Sequence, residues 1–181
     1  MIGALLFDFD ALLCQFGALF CHGGAFKIYS DLKIGRSQQA YETLTKILPS
    51  SPNKDIEIFK SEPYVFAEYL VGPGNPRYGE GAFTWLTGSA DWVFIAVTQE
   101  MLGVRPDYDG LRIDPCLPAE WDEVYVKRRF RGSTYEIKIK NPRKVTKGIK
   151  QIKVDGKIQS DNLIAPFKDG KTHAVEVVMG A

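Results

Sequence analysis

Thr87 and Gly88 stand where a polar, Gly-rich stretch gives way to a helical pattern, in the run Trp85-Leu86-Thr87-Gly88. The first turn of a helix has N–H groups without intrahelical partners and a partial positive charge. A hydroxyl and a glycine amide at that point therefore make an anion site. Aromatic residues cluster around the motif in sequence: Tyr64, Phe66 and Tyr78 before it, Trp85 within it, Trp92 after it. Rings of this kind beside hydroxyl and amide donors suit a cleft the size of a sugar.

Helices and loops must position these groups. Apolar spacing predicts a helix N-capped by Ser37, through Ala40, Tyr41, Leu44, Ile47 and Leu48, and stopped by Pro49. A second is expected from Pro63 through Val65, Phe66, Tyr69 and Leu70, ended by Gly72-Pro73. A third runs from Gly88 to Leu102 with Trp92, Ile95, Ala96 and Leu102 inward and Gly103 as its C-cap. Between them, Ser50–Ser61 and Gly72–Phe83 read as long loops rich in Pro, Gly and Asn, the kind that usually carries function.

After Gly110 the period becomes two. Val124–Phe130 and Tyr135–Lys140 read as strands joined by Gly132-Ser133. Ile149–Val154 and Lys157–Gln159 form a hairpin around Asp155-Gly156, a type I′ signal, and Thr172–Met179 is a last strand after the Asp169-Gly170 turn. Charge switches at the same place: residues 1–110 carry 8 Lys/Arg against 13 Asp/Glu, residues 111–181 carry 15 against 9. The overall charge of +1 gives no argument for nucleic acid or a membrane surface. Cys14, Cys21 and Cys116 are odd in number, show no CxxC spacing, and predict neither a disulfide framework nor a zinc site, so a reducing cytoplasm is expected. Met1 to Phe20 is apolar, but Asp8, Asp10, Gln15 and Gly17 interrupt it and no basic region precedes it, which argues against a signal peptide or a membrane span.

Four runs occur in one order: Gly-Ala-Leu-Phe-Cys-His (17–22), Glu-Pro-Tyr-Val (62–65), Trp-Leu-Thr-Gly (85–88) and Gly-Leu-Arg-Ile-Asp-Pro (110–115). In these the chain resembles, from about Gly17 to its end, the C-terminal part of the inverting glycoside phosphorylases of the cellobiose, cellodextrin and chitobiose phosphorylase family. The resemblance implies an α+β arrangement: terminal helices of an (α/α)6 barrel over 17–110, then a small antiparallel β-sandwich-like domain over 111–181, with 1–16 outside the family pattern. It implies that His22, Thr87 and Gly88 hold inorganic phosphate, the co-substrate, and that Glu68 contacts the sugar where relatives carry an amide or other polar group. The implied reaction is reversible phosphorolysis of a β-glycosidic bond, giving a sugar 1-phosphate. No metal or organic cofactor is implied. An imidazole, a hydroxyl and a helix N-terminus suit phosphate held on one face of an anomeric carbon, and none of them competes as a nucleophile.

The departures limit the expectation. Cys14 and Gln15 occupy the positions of a Lys-Glu pair that contacts the acceptor sugar in the family. The family's general acid, an Asp in an upstream tryptophan-containing motif, has no counterpart; Asp91-Trp92 lies in the helix after the phosphate motif instead. No catalytic residue is therefore assigned. The expected identity is a part of such an enzyme that is inactive alone, with a non-catalytic sugar- or phosphate-binding remnant, or one subunit of a split enzyme completed by an upstream chain or a homodimer, as alternatives. Separately, Ala4–Asp10 ends in Asp-x-Asp, which looks like the first motif of haloacid-dehalogenase-type phosphatases. Ala11-Leu12 replaces the Gly-Thr that should follow, so Asp8 and Asp10 are read as two carboxylates ending an apolar segment.

Overall fold

The computed structural model describes residues 14–15, 18–51 and 55–180, so Asp8 and Asp10 lie outside the described residues. These fall into two compact units, one within residues 1–30 and 40–94, the other within 31–39 and 95–181. Helices and antiparallel sheets are both present, an α+β composition. Among the described residues no helix is long and apolar enough to cross a membrane.

In the first unit, short strands β1 (Cys14–Gln15), β2 (Ala18–Phe20), β3 (Ala67–Val71) and β4 (Gly81–Thr84) pair antiparallel in that order. Leu70 on β3 faces Leu19 on β2 and Gly81 on β4. Helix α1 (Cys21–Lys33) begins where β2 ends. It buries Cys21, Ala25 and Ile28, four and three residues apart, while α2 (Ser37–Ile47) buries Ala40, Leu44 and Ile47 at the same spacing. The two helices approach closely at Gly24, where an added Cβ would sit 3.0 Å from Ile47 Cγ2, and Lys27 Nζ donates to Thr43 Oγ1 at 3.0 Å.

Two expectations change here. Ser37 begins α2, but its buried hydroxyl has no partner, so the cap bond is not made. The helix expected from Pro63 to Leu70 is instead a turn at Pro63-Tyr64, closed by Val65 N–H to Glu62 O at 3.1 Å, followed by β3. Eight residues, rich in β-branched and aromatic types, are too few for periodicity to separate helix from strand. The ladder partners that decide it, β2 and β4, are remote in sequence. The expected loops are also partly ordered. A one-turn helix, α3 (Ile56–Phe59), is capped by Asp55, whose side chain accepts from Glu57 N–H, and β4 begins inside Gly72–Phe83.

Helix α4 (Ser89–Ile95) continues as a π-helix over Ala96–Met101, ending with Leu102 N–H bonded to Val97 O at 2.8 Å. The wider turn shifts the buried face. Val93, Ala96, Glu100 and Met101 are buried, whereas Trp92, Ile95 and Leu102, expected inside, are not fully so. In the second unit, Glu100 is held by Lys33 Nζ at 2.8 Å and by Arg105 Nη1 at 3.3 Å. Gly103 then takes a left-handed φ of 66°, as expected of a residue just past a helix end.

Strands β5 (Val104–Pro106), β6 (Leu111–Ile113) and, further along, β11 (Leu163–Ile164) form a three-stranded sheet in the order β11-β6-β5. A five-stranded sheet has the order β10-β9-β12-β8-β7, from β7 (Glu123–Phe130), β8 (Ser133–Lys140), β9 (Ile149–Val154), β10 (Lys157–Ile158) and β12 (Thr172–Met179). Alternate residues of β8 and β12, among them Tyr135, Ile137, Ile139, Val175, Val177 and Met179, form the core. The turn residues behave as expected: Asp155 and Gly156 take φ of 48° and 77°, a type I′ pair. The sheet is not wholly antiparallel, however. β12 runs parallel to β8 and antiparallel to β9. Alternation in a sequence tells which residues face the core, not which strands become neighbours.

His173 on β12 ties two of these turns together. Its buried ring places Nδ1 2.7 Å from Asp155 Oδ2 and Nε2 3.1 Å from Asp169 Oδ1, and it stacks on Phe167 at 3.8 Å. Bonds to Asp155 first, and to Asp169, hold the imidazole pKa above its ordinary value. Asp169 is brought down to about 2 by the Lys171 N–H, His173 and Ser133, and Asp155 is lowered mainly by His173. Stabilisation from the raised histidine is full below its unfolded pKa of about 6.5 and disappears as pH rises through the folded value. That from the two aspartates is full above about pH 4 and disappears as pH falls toward the folded values.

Thermal melts should therefore give a plateau between about pH 4 and 6.5, falling on both sides, with His173→Gln removing the alkaline fall; an unchanged alkaline slope in that variant counts against the clamp. Gly103→Ala combines a left-handed φ with a Cβ that would land on the backbone carbonyl of Asp114. It should cost about 3 kcal/mol in chemical unfolding, far more than Gly35→Ala, whose Cβ meets nothing within 4 Å.

Candidate functional site

His22 is the second residue of α1, so the sharp passage from β2 into the helix sets its ring at the helix start. Phe20 and Phe26 flank the imidazole, with ring centroids 6.1 and 4.7 Å away. Phe26 in turn meets the edge of Trp92 at 5.0 Å, and Tyr29 meets the same indole at 6.1 Å. Trp92 thus packs on α1. The His22 Nε2 atom is buried and has no hydrogen-bond partner. Leaving such an atom unpaired costs free energy, so a buried imidazole nitrogen in that state calls for a partner.

Gly88 lies against that ring. A Cβ added to it would be 3.4 Å from His22 Cε1 and 3.9 Å from both ring nitrogens. The pair singled out by the sequence, separated by more than sixty residues, therefore meets in space. Thr87 completes the start of α4: its Oγ1 accepts from Ser89 N–H at 3.2 Å and lies 2.6 Å from Ser89 Oγ. Ser89 is fully buried and did not figure among the sequence candidates. Its signal was a second hydroxyl two residues after the first, the spacing at which a cap hydroxyl and a helix N–H meet. The result is an imidazole, a hydroxyl pair and a helix start close together, a set of groups that can bind an oxyanion.

Glu68 lies on β3 and lines an open cleft of about 730 Å³ with Phe20, Tyr69, Asn75 and Arg77 among its walls. Arg77 forms a two-pronged pair with Glu80, at 2.7 and 2.9 Å, and these hydrogen bonds first, then its charge, lower the Glu80 pKa from its ordinary value. His22, Thr87 and Gly88 are not among the walls of that cleft; Phe20 is the residue it shares with the histidine's surroundings. The structure thus brings three of the four candidate residues together, with Glu68 in the adjoining cleft.

Trp85, two residues before Thr87, is unusual in two ways. It is 71% exposed, and its φ is 69°, a conformation that bulky residues seldom adopt. Its indole Nε1 donates to Glu62 Oε1 at 2.9 Å, and this bond is the main reason the Glu62 pKa lies below the usual carboxylate value. Tyr64, also exposed, presents its ring at 72° to the indole with centroids 6.5 Å apart.

A family model described as "Glycosyl hydrolase 94 superfamily, catalytic domain" matches residues 12–103, and one described as "Glycosyl hydrolase family 65, C-terminal domain" matches 104–156. Solabiose phosphorylase of Paenibacillus borealis is 47% identical over 154 residues, 85% of this chain and 20% of that protein. N,N'-diacetylchitobiose phosphorylase of Vibrio proteolyticus is 35% identical over 83% of this chain and 19% of its own length. The 3-O-beta-D-glucopyranosyl-beta-D-glucuronide phosphorylase of Paenibacillus borealis is 30% identical over 84% and 20%. The chain spans about a fifth of the length of the curated relatives it matches.

Replacing Thr87 by Val keeps its shape and removes the oxygen that accepts from Ser89 N–H. Loss of that cap should lower stability by about 1 kcal/mol in a denaturant titration; no measurable loss would mean the hydroxyl has no part in starting the helix.

Proposed function

The chain belongs to the glycosyl hydrolase 94 superfamily, and on that premise we propose that it is the phosphate-holding, C-terminal part of an inverting glycoside phosphorylase. The observation that carries the reading is the His22 imidazole lying against Gly88 with a buried, partnerless Nε2. Phosphate seated there accepts hydrogen bonds from His22 Nε2–H, from the Thr87 hydroxyl and from the start of α4. Such bonds to an ion are about twice as strong as neutral ones.

One phosphate oxygen stays uncoordinated by these donors and attacks the anomeric carbon. The C–O bond to the leaving sugar breaks on the opposite face, and its oxygen takes a proton from a general acid. The product is a sugar 1-phosphate of inverted configuration, and the reverse reaction builds the β-glycosidic bond. The saccharide's hydroxyls meet Glu68 in the adjoining cleft, where a carboxylate accepts their hydrogen bonds.

By the family pattern, the acid belongs to a motif without counterpart in these 181 residues. Turnover therefore needs that residue from a longer protein or from a partner chain, and these residues alone bind without catalysing. A split enzyme is favoured over a binding remnant by the large exposed side chains of the first unit, Phe83, Leu86 and Phe94 among them, which an adjoining chain or a second copy would cover. A cytoplasmic setting is in keeping with Cys21 and Cys116 as buried free thiols.

Titration with inorganic phosphate, followed by calorimetry, tests the reading. Wild-type protein should bind, and His22→Ala should weaken binding by roughly tenfold to a hundredfold, the loss of one charge-assisted hydrogen bond. Equal affinity in the two proteins, or none in either, removes the phosphate site and with it the assignment.

A further inference from the structure

We infer that Trp85 and Tyr64, together with the Glu62 carboxylate that orients the indole, form a stacking site for one pyranose ring of a neutral saccharide. The inference rests on the phosphorylase reading for its ligand class, and otherwise on features of these three residues. Two aromatic rings with more than two-thirds of their surface exposed meet at 72°, forming a corner with one apolar wall on each side. Exposed rings normally lie wherever their backbone leaves them. Here the backbone of Trp85 takes a left-handed φ of 69°, which costs of order 1 kcal/mol or more for a bulky residue and persists only where the surroundings impose it. The indole is then fixed by its bond to Glu62 at 2.9 Å.

The chemistry of this corner is selective. One face of a pyranose presents C–H groups and its rim presents hydroxyls. The C–H face covers an aromatic ring, while a carboxylate oxygen accepts from hydroxyl donors. Glu62 accepts from the indole through Oε1 and is also bonded by its own backbone N–H and by the Thr84 side chain, and the remaining lone-pair sites of a carboxylate can accept from a ligand hydroxyl. The Trp85 bond lowers the Glu62 pKa from its ordinary value, and the ionised carboxylate is an acceptor only. A sugar carrying its own carboxylate or phosphate at this point would meet like charge, so the ring held here is a neutral one.

Placement adds a second argument. One residue, Leu86, separates Trp85 from Thr87, so their backbones lie at most about 7 Å apart. The indole and the Thr87 hydroxyl thus leave the same short stretch of backbone. Glu68, by contrast, lines the cleft built on β3 and the 73–77 turn, whose walls include neither Trp85 nor Tyr64.

The test follows the indole Nε1–H signal of Trp85 in two-dimensional 15N NMR of the 181-residue chain, identified by its absence in Trp85→Phe. Cellobiose and inorganic phosphate are titrated separately. Cellobiose should shift the Trp85 signal saturably. Tyr64→Ala should weaken the affinity about fivefold, the worth of one aromatic contact. Glu62→Gln should weaken it too, and a disaccharide ending in glucuronic acid should bind the wild type less well than cellobiose. Phosphate binding without any saturable cellobiose shift at Trp85 overturns this inference and leaves the phosphorylase reading standing. A saturable cellobiose shift without phosphate binding supports the stacking site and removes the phosphate assignment instead. Equal cellobiose affinity in wild type and Tyr64→Ala also overturns the inference, since the corner would then not be the site.

Discussion

The close approach of α1 to the start of α4 is the constraint on which the candidate site depends. His22 lies against residue 88, where an added Cβ would come to 3.4 Å from its ring, and it is held there because α1 is itself anchored. The anchor is α2: Gly24 lets Ile47 close up on α1, and the Lys27–Thr43 bond fixes the pair laterally. Apolar burial at Cys21, Ala25, Ile28, Ala40, Leu44 and Ile47 supplies the attraction. The imidazole is thus set by packing that has no chemistry of its own, which is how rigid elements usually hold a reactive group in place.

The second unit solves a different problem, keeping a mixed sheet in register. β12 must accept β8 in parallel on one side and β9 antiparallel on the other, with a register shift between Val178 and Met179. Parallel neighbours cannot be joined by a tight turn, so the β8–β12 pairing is closed by contacts away from the ladder. Asp155 and Asp169 sit in turns on either side of the His173 ring and hold it through both nitrogens. Ser133, at the first position of β8, bonds the same Asp169, linking the start of β8 to the turn that feeds β12.

Much of this was legible in the residues. The hairpins around Gly132 and Asp155-Gly156, the final strand after Asp169-Gly170 and the helix that stops at Ile47, short of Pro49, are local in cause, and each appears where its turn or breaker puts it. So was the meeting of His22 with Gly88, though through family resemblance rather than periodicity. What could not be read were features decided by distant partners. Ala67–Val71 becomes a strand because β2 and β4 flank it, and β12 takes its place between β9 and β8, neither of which precedes it directly in sequence. The Glu62–Trp85 bond and the buried Ser89 depend on side-chain directions that no spacing rule supplies.

The π-helix at Ala96–Met101 bears on how chain length may change near the site. Each residue of a regular helix turns the chain by about 100°, so deleting one from an α-helix swings every later side chain to another face. A five-residue hydrogen-bonded loop already contains one residue more than an α turn requires. Shortening this stretch by a single position would let it tighten to ordinary α geometry with Met101 and Gly103 still facing as they do. Sequence variants that differ here by one residue are therefore to be aligned with the gap inside 96–101, where the helix can absorb it, rather than in α4 before it or β5 after it.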